Sequence, residues 1–240
     1  MTRLSYILLV NLSVLTTFTV YGQTCLQTGL SPSYDFITSI KRIKMGQFPD
    51  SCIVSVTIEN KTTKNQINTF LISTDYLLDD SSFVCCDNVR SYTTGKNKNM
   101  QVADNDYGDI IVADFNFDNK EDFALKREQG GNGGPLYNYY IQTPNATFAL
   151  DSFLSGTMTF FPKYFNKKKK TLTTLVHANA YQLCKTIYKF DMLTNKWNEI
   201  GHSLIGGKKR FVLVILSLPD IQSVIKTDHN IILPKIWATA

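Results

Sequence analysis

Short apolar and aromatic runs, each closed by turn-forming residues, recur along the chain and restrict the folds that it can adopt. Residues 52–59 form one β-branched run, residues 60–65 supply a turn, and residues 67–73 return as a second run, which predicts a β-hairpin. Further strands are predicted at residues 83–86, 109–113, 137–142, 147–153, 157–160, 171–178, 181–190 and 196–200. Many short strands with frequent turns predict an all-β fold, as a single antiparallel sandwich, barrel or propeller-like domain.

The first 22 residues have the layout of a secretory signal peptide. Arg3 precedes an apolar run, and the small residue Gly22 ends it. A membrane anchor is the alternative, but polar residues such as Asn11 and Ser13 dilute the run below the roughly 20 apolar residues that a spanning helix needs. We therefore expect a periplasmic or secreted protein with no membrane span in the mature chain. Its parts are a signal peptide at 1–22, a β domain at 23–200 and a divergent C-terminal extension at 201–240.

The cysteines and basic residues limit the other possibilities. Five cysteines are an odd number, so an oxidising compartment predicts one or two disulfides, whose pairing the sequence leaves open. A thiol catalyst or zinc site is the weaker interpretation, because the chain has no CxxC pair and its three histidines lie far apart. The net charge of +5 includes a lysine run at 167–170, which is more typical of a solvated turn than of a nucleic-acid surface.

An acidic loop at residues 114–122 is the main candidate for a metal site. Calcium takes six to eight oxygen ligands, and alternate residues of a tight loop can direct oxygens to one point. Asp114, Asn116 and Asp118 occupy the first, third and fifth positions of the loop. Lys120 supplies its backbone carbonyl at the seventh position, and Asp122 falls at the ninth. This spacing matches the start of an EF-hand loop and predicts Ca²⁺ as the cofactor.

Two departures distinguish this loop from a complete EF-hand. The glycine of the sixth position is replaced by Asn119, which tolerates left-handed backbone geometry better than most residues. Leu125 stands at the twelfth position, where an EF-hand has a bidentate glutamate. The loop therefore fits the shorter acidic loops between two strands of integrin-like repeats, with Phe115 and Phe117 packing into the core. A plain acidic turn without metal is the alternative.

The sequence does not predict an enzyme. Metal ligands make poor general acids, and the chain has no Ser-His-Asp order, P-loop or dinucleotide fingerprint. His177 with Tyr181 is a possible acid-base pair, and a hydrolase would need to combine His177 or the carboxylates of Asp104 and Asp106 with a substrate in a cleft. We rank that interpretation last.

The acidic loop is followed by residues 122–125, a glycine-rich loop with Pro135 at residues 130–137, and Tyr140. In this order, the chain resembles the calcium-loop periplasmic proteins of Gram-negative bacteria over residues 109–200. Characterised members of that family are immunity proteins that inhibit lysozyme-like antibacterial effectors. The resemblance implies an all-β domain, one structural calcium, and a loop that plugs the active-site cleft of a secreted lysozyme-like peptidoglycan hydrolase.

Plugging such a cleft requires cations and hydroxyls that can meet catalytic carboxylates. The residues in or beside the glycine-rich loop that are expected to contact a partner are Lys126, Arg127, Gly130, Gly131, Asn132, Gly133, Tyr137 and Tyr139. The alternative function is a surface adhesion or structural module that uses an integrin-like calcium loop. No nucleic-acid partner is expected.

Overall fold

A computed structural model of the protein describes residues 23–43, 51–74, 88–206, 211–214, 224–227 and 230–231. The described residues form sixteen strands and one π-helix at Leu154–Met158. The strands are β1 (Gln23–Gln27), β2 (Tyr34–Ile43), β3 (Ser51–Asn60), β4 (Gln66–Thr74), β5 (Val89–Ser91), β6 (Ile110–Ala113), β7 (Asp122–Glu128), β8 (Leu136–Gln142), β9 (Phe148–Leu150), β10 (Tyr164–Asn166), β11 (Thr171–Asn179), β12 (Gln182–Asp191), β13 (Lys196–Ile205), β14 (Phe211–Val214), β15 (Val224–Thr227) and β16 (Asn230–Ile231). The signal segment and the strand expected at 83–86 lie outside the described residues.

The strands form three sheets. The first sheet has the order β1-β2-β3-β4, the middle sheet β5-β6-β7-β8-β9, and the third sheet β10 to β16 in sequence order. Every paired strand is antiparallel to its neighbour except β5, which runs parallel to β6. The prediction of an all-β antiparallel fold is confirmed, and it takes the form of a layered sandwich.

The middle sheet is covered on both faces. Along β6, Ile110 and Val112 belong to a core shared with the first sheet, whereas Ile111 and Ala113 belong to a second core shared with the third sheet. Alternate residues of a strand point to opposite faces, so burial on both faces requires a continuous apolar run. The prediction of a buried strand at 109–113 is confirmed, and the two cores lie on either side of it.

Aromatic packing joins the first sheet to the middle sheet. Phe123 is fully buried and stacks on Tyr140 with ring centroids 4.9 Å apart. Phe123 also makes T-shaped contacts with Phe36 of β2, at a centroid distance of 5.4 Å, and with Phe148 of β9, at 5.0 Å. Buried aromatic pairs add stability beyond the area that they remove from water. Phe123, which directly follows the acidic loop, is therefore a central residue of the first core.

The acidic loop itself contributes to the second core. Phe115 packs edge-on against Tyr139 at 5.0 Å, and Phe117 lies 6.3 Å from Trp197 of β13. Both phenylalanines are almost completely buried. The prediction that they pack inward is confirmed, so the conformation of the loop is coupled to the packing of the middle and third sheets.

Residues 154–160 differ from the sequence prediction. The strand expected at 147–153 is limited to β9, and the strand expected at 157–160 is wrong, because the π-helix covers its beginning. Leu154 and Met158 are both buried, at a spacing that suits one turn of helix. Asp151 accepts a hydrogen bond from the Leu154 amide through Oδ1 at 2.8 Å and holds the start of this turn.

The three cysteines among the described residues differ in their bonding and burial. Cys25 on β1 is disulfide-bonded, which agrees with the expectation of at least one disulfide. Cys52 on β3 is buried, and its thiol donates a hydrogen bond to the Thr74 carbonyl at 3.2 Å. Cys184 on β12 is a half-buried thiol. The described cysteines therefore have three different environments.

The third sheet continues past residue 200. β13 crosses the expected boundary, and β14 pairs with it through His202, Ser203 and Leu204. β15 and β16 then extend the same sheet. The described part of the C-terminal segment is thus joined to the β domain by backbone hydrogen bonds.

No helix among the described residues has the length and apolar character needed to cross a membrane.

Candidate functional site

Asp122 organises the acidic loop from within the fold. It begins β7 with 0% of its surface exposed. Its Oδ2 accepts the Phe115 amide at 2.8 Å, and its Oδ1 accepts the Gln142 amide at 2.9 Å. Burial raises the pKa of Asp122 to about 8, against the opposing effect of these N–H donors. Both oxygens already have backbone partners, so this carboxylate holds the two ends of the loop to the middle sheet.

The other oxygen-bearing side chains bend the loop through hydrogen bonds to its own backbone. Asp114 Oδ2 accepts the Asn119 amide at 3.1 Å, and Asn116 Oδ1 accepts the Asp118 amide at 3.1 Å. Asp118 Oδ1 accepts the Lys120 amide at 2.8 Å. These bonds fix three of the predicted ligands to the loop, and the side chain of Lys120 remains exposed.

The turn requires left-handed backbone geometry at its centre. Asn119 has a φ of 66°, as expected for the residue that replaces the usual glycine. Phe117 has a φ of 62°, which is unusual for a large side chain. Burial of the Phe117 ring and a hydrogen bond from Lys170 Nζ to its carbonyl at 2.7 Å hold it there. The lysine run at 167–170 forms the turn before β11, as predicted, and its last residue supports the loop.

Asp114 carries the observation that bears on metal binding. Its Oδ1 is buried and has no hydrogen-bond partner among the described residues. Burial raises the pKa of Asp114, and the Asn119 amide and nearby Lys167 oppose this effect. Lys167 Nζ lies 3.7 Å from the other oxygen, but its side chain is largely exposed and provides weak compensation. A buried carboxylate oxygen without a partner is costly, and a cation would satisfy it.

The loop contains oxygen atoms of the kind that calcium takes as ligands. These are the carboxylates of Asp114 and Asp118, the amide oxygen of Asn116 and the backbone carbonyl of Lys120, all hard oxygen ligands. Within the described ranges, no group of three or more His, Cys, Asp or Glu side chains is arranged to hold a metal. This finding is consistent with the inward direction of Asp122, which leaves two carboxylates and an amide. Water would have to complete the coordination.

Three of the predicted partner-binding residues lie in the interior. The Lys126 side chain is 3% exposed, and its Nζ forms ion pairs with Asp109 at 2.8 Å and Asp106 at 3.0 Å. Tyr139 donates its hydroxyl hydrogen to the Phe160 carbonyl at 2.7 Å, and the Tyr137 hydroxyl accepts the Tyr107 amide at 3.2 Å. These side chains make their polar contacts within the interior and do not reach the surface.

Arg127 and the loop residues lie at the surface. Arg127 is partly exposed at the end of β7, with Nε 3.2 Å from Glu128. Gly130, Gly131 and Asn132 are exposed, and Gly133 is half-buried. Of the predicted partner-binding residues, the loop residues and Arg127 are therefore accessible at the surface, whereas the second predicted cation, Lys126, is buried.

The glycine-rich loop has a fixed conformation. Gly134 has a φ of +93°, and a Cβ built on it would stand 2.2 Å from the Asp104 carbonyl oxygen. Asn105 Nδ2 donates to the Gly133 carbonyl at 3.0 Å and to the Leu175 carbonyl at 3.1 Å. The loop is therefore packed against residues 104–105 and tied to β11 of the third sheet.

A second surface segment, which the sequence did not assign to the site, lies beside this loop. His177 is exposed near the end of β11, and Tyr181 is 85% exposed in the turn between β11 and β12. A cavity of about 460 Å³ lies between the turn and the glycine-rich loop. It is lined by Asp104, Gln129, Gly130, Gly131, Asn132, Gly134, Pro135, His177, Asn179 and Ala180. From the sequence, His177 and Tyr181 were considered only as a possible acid-base pair and not as part of a partner surface.

The fold and these loops define a layered all-β protein with an acidic loop and an adjoining glycine-rich surface. No known protein-family model matches the chain, and no curated protein matches it. Among solved structures, the chain is similar to one described as the structure of a Xanthomonas type IV secretion system related protein, with a TM-score of 0.53. The match covers 87% of this chain and 93% of that chain at 15% sequence identity, a level at which it shows the fold alone.

Proposed function

We propose that this chain is an exported, calcium-stabilised binding protein that inhibits a lysozyme-like peptidoglycan hydrolase. The observation that carries the metal part is the buried Oδ1 of Asp114, which lacks a partner among the described residues of an otherwise hydrogen-bonded loop. Calcium at this oxygen would lower the energy of the loop that contributes Phe115 and Phe117 to the second core. The role of the metal is structural in this proposal.

The binding surface is the glycine-rich loop together with the turn between β11 and β12. The backbone of Gly130 to Asn132 is exposed, and Tyr181, which follows the cavity-lining Ala180, exposes an aromatic ring and a hydroxyl. His177 adds an imidazole at the same cavity. Exposed tyrosines are common anchors of protein interfaces, because they combine a large apolar area with a polar group. A tyrosine that is exposed at the tip of a turn suits insertion into an enzyme cleft.

The resemblance to calcium-loop periplasmic proteins supports the choice of a lysozyme-like target. The fold shared with a secretion-system related protein supports an exported binding module at a coarser level. Export would place the chain where peptidoglycan hydrolases act. No catalytic role is assigned to Asp104 and His177, although both line the cavity beside the glycine-rich loop.

The metal part is tested by thermal unfolding in excess calcium and in chelator. We expect calcium to raise the Tm of the wild-type protein by several degrees, because a ligand that binds only the native state stabilises it. Asp114→Asn and Asp118→Asn should abolish the shift. Asp191→Asn is the matched control, because Asp191 also accepts a turn amide, from Leu193 at 2.9 Å, but is the last residue of β12 and not part of the acidic loop. A shift that survives both loop substitutions would overturn the proposed site.

The inhibitory part is tested by following lysozyme-type hydrolysis of a peptidoglycan suspension with added protein. We expect inhibition that Tyr181→Ala weakens by at least about ten-fold, a loss typical of an interface anchor. Leu193→Ala is the matched control, since Leu193 is 97% exposed at the opposite end of β12. Equal inhibition by the two variants would exclude Tyr181 as the anchor, and no inhibition by the wild-type protein would contradict the proposed target class.

A further inference from the structure

Cys184, Glu199 and His202 form a cluster of reactive side chains that the proposed function does not use. The Sγ of Cys184 on β12 lies 3.3 Å from His202 Nε2 on β13. The Cys184 residue is half-buried, and the side chains of His202 and Glu199 are 38% and 31% exposed. A small molecule in solution can therefore approach the cluster.

An irregularity in the third sheet creates this cluster. The pairing of β12 with β13 steps from Gly201 directly to Glu199, which leaves Ile200 as an extra residue. Glu199 and His202 are three residues apart and would point to opposite faces of a regular strand. The extra residue restores them to one face, and Glu199 Oε1 lies 3.7 Å from His202 Nδ1. The same face carries Cys184.

The surroundings of the imidazole direct one nitrogen to the thiol. His202 Nδ1 lies 3.3 Å from Thr186 Oγ1, in addition to its contact with Glu199. When Nδ1 donates its hydrogen to either oxygen, Nε2 keeps a lone pair that can accept the Cys184 thiol proton. The carboxylate of Glu199 is then placed to stabilise the imidazolium. Glu199 acts as a positioning residue, because it reaches the thiol only through His202. Thr186 also contacts the thiol directly, since its Oγ1 lies 3.6 Å from Cys184 Sγ.

We propose that Cys184 is a thiol–disulfide exchange site whose natural ligand class is low-molecular-weight disulfides. The thiol proton passes to His202 Nε2, and the thiolate attacks one sulfur of the disulfide R–S–S–R. A bond forms between Sγ and that sulfur, while the S–S bond of the small molecule breaks. The leaving thiolate takes the proton from the imidazolium and departs as R–SH. The product is a mixed disulfide on Cys184, with no other oxidant or reductant needed.

Cys52 provides a reference thiol in the same chain. It is 0% exposed, and its Sγ donates to the Thr74 carbonyl at 3.2 Å. A carbonyl oxygen cannot take the thiol proton, and burial keeps disulfides away. The two thiols should therefore differ sharply in reactivity while the protein is folded.

The test uses glutathione disulfide as the probe and the full chain as the protein. The rate of modification of each cysteine is followed by peptide mass spectrometry, between pH 6 and pH 9, in native buffer and in denaturant. We expect Cys184 to react at least about ten-fold faster than Cys52 in the native state, in line with burial of Cys52. His202→Gln should slow the reaction of Cys184 by about a hundred-fold near neutral pH, the lower end of what a general base contributes.

Two comparisons separate activation from folding effects. His177→Gln is the matched control, because His177 pairs with Leu183 and therefore lies on the opposite face of the sheet from Cys184. It should leave the native rate and its pH profile unchanged. In denaturant, the wild-type protein and the His202→Gln variant should react equally fast at Cys184. Equal native rates for the His202→Gln and His177→Gln variants, or an unaltered pH profile in His202→Gln, would overturn the proposal. It stands independently of calcium binding and hydrolase inhibition.

Discussion

At the scale of single residues, the interior contains a group of buried ion pairs formed by one lysine and two aspartates. Lys126 brings an ammonium group into the middle sheet, where only 3% of its side chain is exposed. Asp109 and Asp106 supply the opposite charge at 2.8 and 3.0 Å. Burial raises the pKa of Asp109, although Lys126 opposes this effect. The group connects β6 and β7 to the segment that packs under the glycine-rich loop.

Removing the ammonium group should therefore be costly. We expect Lys126→Met to lower the free energy of unfolding by about 3 kcal/mol, because it leaves buried carboxylates without a counter-charge. Chemical denaturation followed by circular dichroism measures the change. Lys168→Met, in the exposed lysine run, serves as the control and should change stability by less than about 0.5 kcal/mol. Matching losses in the two variants would show that the buried pairing contributes no stability.

At the scale of elements, the glycine-rich loop between β7 and β8 depends on two positions with different requirements. Gly134 has left-handed geometry and stands against the Asp104 carbonyl, whereas a Cβ on Gly131 would meet nothing within 4 Å. One glycine is thus required by the conformation of the loop, and the other is free of local contacts. This difference allows the conformation of the loop to be tested without a change in charge.

Gly134→Ala should destabilise the loop by about 2 kcal/mol, since a Cβ brings both strain at positive φ and a clash with backbone. Gly131→Ala, the same chemical change three residues away, should be nearly neutral. Hydrogen exchange of the loop amides and the unfolding midpoint report the effect. If both variants behave like the wild-type protein, the packing of the loop against residues 104–105 is not maintained in solution.

The sequence predicted the elements where local pattern and tertiary burial agree. The hairpin of β3 and β4, the buried strand β6 and the long strands β11 and β12 follow from their β-branched and apolar runs. The π-helix was missed because its threonine and aromatic neighbours suggest a strand, while the four-residue spacing of Leu154 and Met158 decides the outcome.

Only those features of the candidate site that depend on residues close together in the chain could be predicted from the sequence. The positions of the acidic residues and the left-handed geometry of Asn119 follow from spacing along one loop. The inward direction of Asp122, the burial of Lys126 and the cavity that His177 shares with the glycine-rich loop depend on contacts between distant segments. A single sequence contains no direct signal of such contacts.

At the scale of the whole molecule, buried tyrosines and the buried lysine link stability to alkaline pH. Burial raises the pKa of Tyr137 and Tyr139 well above 10.0. Burial lowers the pKa of Lys126, but Asp109 and Asp106 raise it by more, so its net shift is upward from 10.5. In the unfolded chain these groups lose their protons near their ordinary values. Above about pH 10 the native state therefore binds more protons than the unfolded state.

Stability should consequently fall as the pH rises above about 10. We expect the Tm to decrease steeply between about pH 10 and pH 12, and Tyr139→Phe should reduce that slope, because residue 139 then no longer titrates. Tyr181→Phe is the control, since its hydroxyl lies at the surface. Melting curves across this range measure both slopes. A Tyr139→Phe slope equal to that of the wild-type protein would contradict the assignment of the effect to buried tyrosines.

The order of strands also has a kinetic consequence. Within each sheet, every strand pairs with the strand next to it in the chain, so hairpins can form one after another with little loop-closure entropy. The parallel pair of β5 and β6 is different, because it must bring Val89 beside Ile110 across an intervening polar loop. Parallel strands cannot be joined by a tight turn. We expect the flanking hairpins to form early and the attachment of β5 to be the late event that completes the middle sheet.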